Sequence, residues 1–103
     1  MPPQSLEAEQ ATLGSMLLER NALLKALEIL QPEDYYYDNH RIIYSAISEL
    51  FDEDKACDIV TLAEKLRAKN QLEAVGGLEY LTLLTNLVPT AANVEYYAHI
   101  VEE

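Results

Sequence analysis

Apolar residues recur three and four positions apart along most of this chain and never alternate for long, so the pattern predicts helices and no sheet. Ser5 is placed to cap a first helix, with Glu7 and Glu9 near its positive end. Leu6, Leu13 and Leu17 share one stripe of it, and Ala8, Ala11 and Ser15 form a strip of small residues alongside. Gly14 inside this helix costs about 1 kcal/mol relative to alanine, and its expected use is close approach of another helix. Asn21 is expected to cap a second helix through Leu23, Leu24, Leu27 and Leu30, which Pro32 stops.

Pro32-Glu33-Asp34 reads as a turn into the run Tyr35-Tyr36-Tyr37, and Asp38 or Asn39 then starts a third helix. Its apolar positions Ile42, Ile43, Ala46, Ile47, Leu50 and Phe51 follow a helical period, and the acidic stretch Asp52 to Asp54 ends it. Asp58 is expected to cap a fourth helix that buries Ile59, Leu62, Ala63 and Leu66. Lys65, Arg67 and Lys69 fall in its last turns, where cations favour the helix dipole, and Asn70 suits a left-handed close. A turn from Gln71 to Val75 leads to Gly76-Gly77, a pair suited to reversing the chain before a fifth helix through Leu78, Leu81, Leu84 and Leu87. Pro89 breaks the chain, and Thr90 is expected to cap a last helix containing Val94, Tyr97, Ile100 and Val101. The expectation is an all-α fold, a compact bundle of about six short helices, in one domain over residues 1–103.

Charge alters the picture most. Eighteen acids against seven bases leave a formal net charge of −11. Phosphate backbones are bound by Lys and Arg that displace counterions, so direct nucleic-acid binding by this segment is not expected. The excess acid serves solubility or faces a basic partner. The tyrosine run lies between Glu33-Asp34 and Asp38, which suits half-buried rings sealing a small core, or anchoring a partner, rather than a platform for bases. A single cysteine, no apolar run near the ~20 residues a membrane span needs, and a start without signal-peptide character make a cytoplasmic location the expectation.

Candidate chemistry is thin. A phosphate-binding loop needs Gly-x-x-x-x-Gly-Lys followed by Ser or Thr; the three glycines are Gly14, Gly76 and Gly77, and no lysine follows Lys69. Asp52 and Asp54 match the opening of a calcium loop, but Ala56, Cys57 and Ala63 stand at the third ligand, the glycine and the closing acid. Cys57, His40 and His99 show no zinc-ligand spacing, and a Cys-His nucleophile would need folding to assemble it. His40, beside Tyr37 and Asp38, is expected to hydrogen-bond near a helix cap. No catalytic, cofactor or metal residue is assigned, and the residues by themselves describe an acidic helical adaptor.

The order of segments goes further. Pro3-Gln4-Ser5-Leu6-Glu7-Ala8-Glu9-Gln10, then Leu13-Gly14, resembles the start of bacterial replicative helicases of the DnaB family. The resemblance continues through Leu30 to Asp34, His40 to Tyr44, Asp58 to Leu62, Val75-Gly76-Gly77, Tyr80-Leu81, Pro89 to Asn93 and Tyr97 to Val101. Two positions depart from the family pattern: Tyr35 where phenylalanine is more familiar, and Asn70 where a glycine often ends the helix.

The resemblance implies an amino-terminal helical head that forms a collar over a hexameric motor ring, with subunits associating in pairs. It also implies that a helical hairpin follows the head, so that the last helix here is the truncated start of that hairpin. Primase, and a helicase loader, are the partners it implies. ATP and Mg²⁺ would belong to a RecA-like motor domain absent from this chain. On spacing, Tyr96, Tyr97, Ile100 and Val101 are the candidate subunit or primase contacts, and Gly14, Gly76 and Gly77 the candidate positions for close helix packing or turns. A stand-alone adaptor without a motor is the alternative.

Overall fold

The computed structural model describes residues 5–88 and 93–103, and its regular elements there are all helical. Helix α1 spans Leu6–Leu18, and Ser5, in extended conformation, caps it by accepting the Ala8 N–H at 3.1 Å. The sequence pattern predicts an apolar stripe on this helix, but from Thr12 to Leu17 every residue is buried, while Leu6 is 45% exposed. The reason is position: α1 is the central rod, packed against four other helices, α2 (Arg20–Ile29), α3 (Asp38–Asp52), α6 (Gly77–Asn86) and α7 (Val94–Glu102). Small side chains at Ala8, Thr12, Gly14 and Ser15 let the neighbours close in on it.

A single extended residue, Glu19, separates α1 from α2, and no side chain caps the new helix. Asn21 therefore lies inside the first turn of α2 rather than capping it. Ala22, Leu23 and Ala26 face the core, whereas Leu24 points outward. Pro32–Asp34 forms a 3-10 turn closed by the Gln31 N–H donating to the Asp34 carboxylate at 2.8 Å. The Tyr35–Tyr37 strap follows, then α3, which buries His40, Ile43, Tyr44, Ala46, Ile47 and Leu50. Tyr44 donates its hydroxyl hydrogen to the Leu30 carbonyl at 2.7 Å and so ties α3 to the end of α2.

Helix α4 (Ile59–Ala68) starts on a reciprocal cap: the Asp58 carboxylate accepts the Thr61 N–H at 2.8 Å, and the Thr61 hydroxyl accepts the Asp58 N–H at 3.0 Å. Along its length Lys65 meets Glu53 at 2.6 Å and Lys69 meets Glu49 at 2.7 Å, so α4 is pinned to the end of α3 by charge as well as by Leu62 and Leu66. Asn70 adopts φ +58°, the left-handed close expected of it. Where the sequence suggests a turn, Leu72–Val75 forms a single helical turn, α5, ended by Gly76. Helix α6 leads back across α1, and α7 completes the bundle with Val94, Ala98 and Val101 turned inward. The expected break at Pro89 and cap at Thr90 lie outside the described residues.

Candidate interaction surface

Helix α7 distributes its four candidate contact residues unevenly. Tyr96 is 66% exposed and stands clear of the bundle, with its ring edge-on to Tyr97 at 5.3 Å between centroids. Tyr97 and Ile100 are half-buried against the core. Val101 is only 7% exposed, because it lies seven residues after Val94 on the inward face, so it packs the domain's own interior and offers no free surface. Tyr97 lines a groove of about 310 Å³ whose other walls are Glu7, Gln10 and Ala11 of α1 and Leu87 and Val88 after α6. Leu83 and Leu87, one turn apart, leave apolar surface exposed beside it.

The three glycines act differently from one another. A Cβ on Gly14 would collide with the Leu84 backbone carbonyl oxygen and come within 2.7 Å of Val88 Cγ2, so α6 crosses α1 in direct backbone contact at this point. Gly76 combines φ +116° with Tyr80 Cβ 2.7 Å from where a side chain would begin. Gly77, at φ +74°, has open space around it and is required for conformation alone.

Beneath this surface lies a buried polar cluster that the sequence reading assigns only in part. Glu9 is 2% exposed and His40 is fully buried. The Glu9 carboxylate accepts the backbone N–H of Tyr36 at 2.7 Å and that of Tyr37 at 3.4 Å, and lies 2.7 Å from His40 Nδ1. On the other side of the ring, His40 Nε2 lies 2.6 Å from the Tyr80 hydroxyl, which also accepts from Gln10 Nε2 at 3.1 Å. Thr12 donates to the Glu9 carbonyl at 2.9 Å, which leaves Tyr35 to donate its hydroxyl hydrogen to Thr12, also at 2.9 Å. One carboxylate thus fastens α1, the tyrosine strap and α3, and through the imidazole it reaches α6.

The sequence places Glu9 at a helix dipole and His40 near a cap; both assignments miss that the two meet. A usable signal exists: Glu9 stands three, four and seven residues before Thr12, Leu13 and Met16, on the buried face, and a buried acid requires partners. Burial also shapes the tyrosines. It holds the Tyr35 hydroxyl well above the ordinary tyrosine range and pushes Tyr44 up to about 12.

A hydroxyl, an imidazole and a carboxylate in line have the connectivity of a hydrolytic triad. Here the His40 ring is fully buried and Gln10 hydrogen-bonds the Tyr80 hydroxyl, and the arrangement fastens α1, α3 and α6 to one another. Burial likewise raises the Cys57 thiol above its ordinary range, which disfavours the thiolate a nucleophile needs. Among the described residues no three His, Cys, Asp or Glu side chains converge as a metal site, and no helix is long and apolar enough to cross a membrane.

Comparison with known proteins covers the chain end to end. The family model described as DnaB-like helicase N terminal domain matches residues 1–103. The chain is 52% identical over 103 residues to the replicative DNA helicase DnaB of Geobacillus stearothermophilus and 50% identical to the replicative DNA helicase DnaC of Bacillus subtilis (strain 168). These alignments cover all of this chain but 23% of each relative. Against the replicative DNA helicase DnaB of Rhodothermus marinus the identity is 48%, over 11% of that protein. The chain therefore spans a quarter or less of the length of the curated relatives it matches. The crystal structure of the N-terminal domain of DnaB helicase from Mycobacterium tuberculosis superposes with a TM-score of 0.95 at 45% identity, covering 99% of this chain and 73% of that one.

Proposed function

The chain belongs to the DnaB-like helicase N-terminal domain family, and on that premise we propose that it is the assembly and docking head of a replicative DNA helicase acting in bacterial DNA replication. In this reading the head pairs with its own kind, holds six motors in a ring as a collar, and presents a surface to primase and to a helicase loader. The motor, with its ATP and Mg²⁺, belongs to another part of such a protein, which works as an ATP-dependent DNA-unwinding hexamer in the cytoplasm. The head itself neither hydrolyses nucleotide nor grips DNA.

What carries the reading is the match over the whole chain, in sequence and in fold, to the N-terminal portion of replicative helicases. The surface chemistry agrees with it: a net charge of −11 discourages contact with a phosphate backbone and favours protein partners. Tyr96, edge-on to Tyr97, is the aromatic anchor on the free side of α7, and Ile100 is half-buried on the same helix. In the full-length protein, Tyr96→Ala and Ile100→Ala should weaken hexamer formation by light scattering, or reduce the stimulation of activity by primase. Wild-type behaviour in both assays for both variants would overturn the assignment of this surface.

A further inference from the structure

Charge is segregated along this chain, and the groove beside Tyr97 lies among the helices without bases. All seven lysines and arginines fall between Arg20 and Lys69. Helices α1, α6 and α7, which wall the groove, therefore carry no Lys or Arg. Their acids are Glu7 and Glu9 on α1, Glu79 on α6, and Glu95 and Glu102 on α7. Glu9 is buried, and Glu102 pairs with the exposed His99 at 3.1 Å. On the other helices the balance is local: Lys65 and Lys69 of α4 are matched by Glu49 and Glu53.

The groove repeats at helical spacing. On α6 the exposed residues Glu79, Leu83 and Leu87 follow one another a turn apart, with the two leucines 42% and 49% exposed. On α1, Glu7 and Ala11 stand a turn apart and both line the groove, and Tyr97, half-buried, is its wall from α7. Each of α1 and α6 thus sets an acid one turn before its apolar positions. Apolar anchors spaced by a turn fit a second helix that presents side chains at i, i+3 or i+4, and i+7. The acids fit Lys or Arg flanking those anchors. A second copy related by a two-fold axis would bring the same face and set acid against acid. A phosphate backbone would be repelled in the same way.

We propose that this groove receives a basic amphipathic helix of a partner protein, whose apolar stripe seats against Leu83, Leu87 and Tyr97 and whose flanking Lys or Arg side chains meet Glu7 and Glu79. The inference rests on the reading of the domain as a docking head and adds the partner's chemistry to it. Tyr97 joins the two surfaces, since it lines the groove and meets the ring of Tyr96 edge-on at 5.3 Å.

The probe is a synthetic leucine–lysine helix of about 18 residues, compared with a twin carrying glutamate in place of every lysine. Amide NMR of the labelled chain locates binding, and fluorescence anisotropy of the labelled peptide measures it. Shifts should concentrate at Ala11, Leu83, Leu87 and Tyr97, and affinity should fall as salt rises. The glutamate twin should not bind. Leu87→Ala removes about half a leucine's burial and should weaken binding about tenfold. Glu7→Gln should weaken it about threefold, while Glu64→Gln, exposed on α4 outside the groove, should leave it unchanged. The mapping is done on the parent chain, so it needs no variant to fold. No binding at millimolar peptide, equal binding of the twin, or shifts centred on the Asp52–Asp54 loop would each overturn the proposal. Self-association of the chain that Leu87→Ala abolishes would give the groove to a second copy and overturn it too. If the peptide fails while Tyr96→Ala still impairs assembly, the docking head stands and the groove's assignment alone falls.

Discussion

Replacing Gly14 with alanine sets two effects of opposite sign against each other. Helix propensity favours alanine by about 1 kcal/mol at an interior position. Against that, the added methyl would overlap the Leu84 carbonyl oxygen and come within 2.7 Å of Val88 Cγ2. A side-chain tip could rotate away, but a backbone carbonyl held in α6 cannot, so α6 must move as a unit. Overpacking of this kind costs about 1–3 kcal/mol. Movement of α6 also pulls Tyr80 from His40, and loss of that hydrogen bond adds about 1 kcal/mol. The clash should win, leaving Gly14→Ala about 1–3 kcal/mol less stable, or roughly 5–20 °C lower in Tm for a domain of this size. Gly14→Val should lose more, since its extra methyls have nowhere to go. Urea unfolding checks the outcome: the midpoint should fall while the slope with denaturant stays constant. A midpoint equal to or above that of the parent chain would refute the close crossing.

Two further perturbations concern the same interior, and a third concerns the exposed cap of α4. Glu9→Ala strands the N–H groups of Tyr36 and Tyr37 and the His40 ring, and should cost about 3–4 kcal/mol in urea unfolding, well beyond an exposed Glu→Ala change on α1. Tyr44 titrates near 12 in the fold against 10.0 unfolded, a raised value; its contribution is therefore complete below pH 10 and lost as pH rises toward 12, and Tyr44→Phe should flatten the alkaline limb of a stability-against-pH curve. Backbone hydrogen bonding from Thr61 holds the Asp58 carboxyl below its ordinary range, a lowered value, so its cap is present at neutral pH and lost as pH falls through the folded pKa. Asp58→Ala should remove about 1 kcal/mol at neutral pH and much less in acid, measured by thermal unfolding at both.

Local chemistry was legible from the sequence, and long-range chemistry was not. Ser5, Asp58 and Asn70 could be placed because a cap depends on residues within one turn of itself. Asn21 misleads for the same reason: it is a good cap, but α1 and α2 are joined through Glu19 alone, and tertiary packing ends the first helix without a side-chain signal. Inward positions on α7 follow the helical period, yet spacing cannot say that Val101 turns to the domain's own core while Tyr96 remains free. His40 meets Glu9 across 31 residues and Tyr80 across 40, and no local pattern encodes those meetings. They become readable only as a demand for partners, raised by an acid on the buried face of α1.

On the proposed reading, this domain organises a motor and leaves the chemistry to it. The most direct measurement compares the full-length helicase with a version lacking residues 1–103, scoring ATP hydrolysis, hexamer assembly by light scattering and stimulation by primase. ATP hydrolysis should persist, while the assembled fraction falls and the response to primase is lost. Unchanged assembly together with an intact primase response, or ATP turnover by the isolated 103-residue chain, would contradict it.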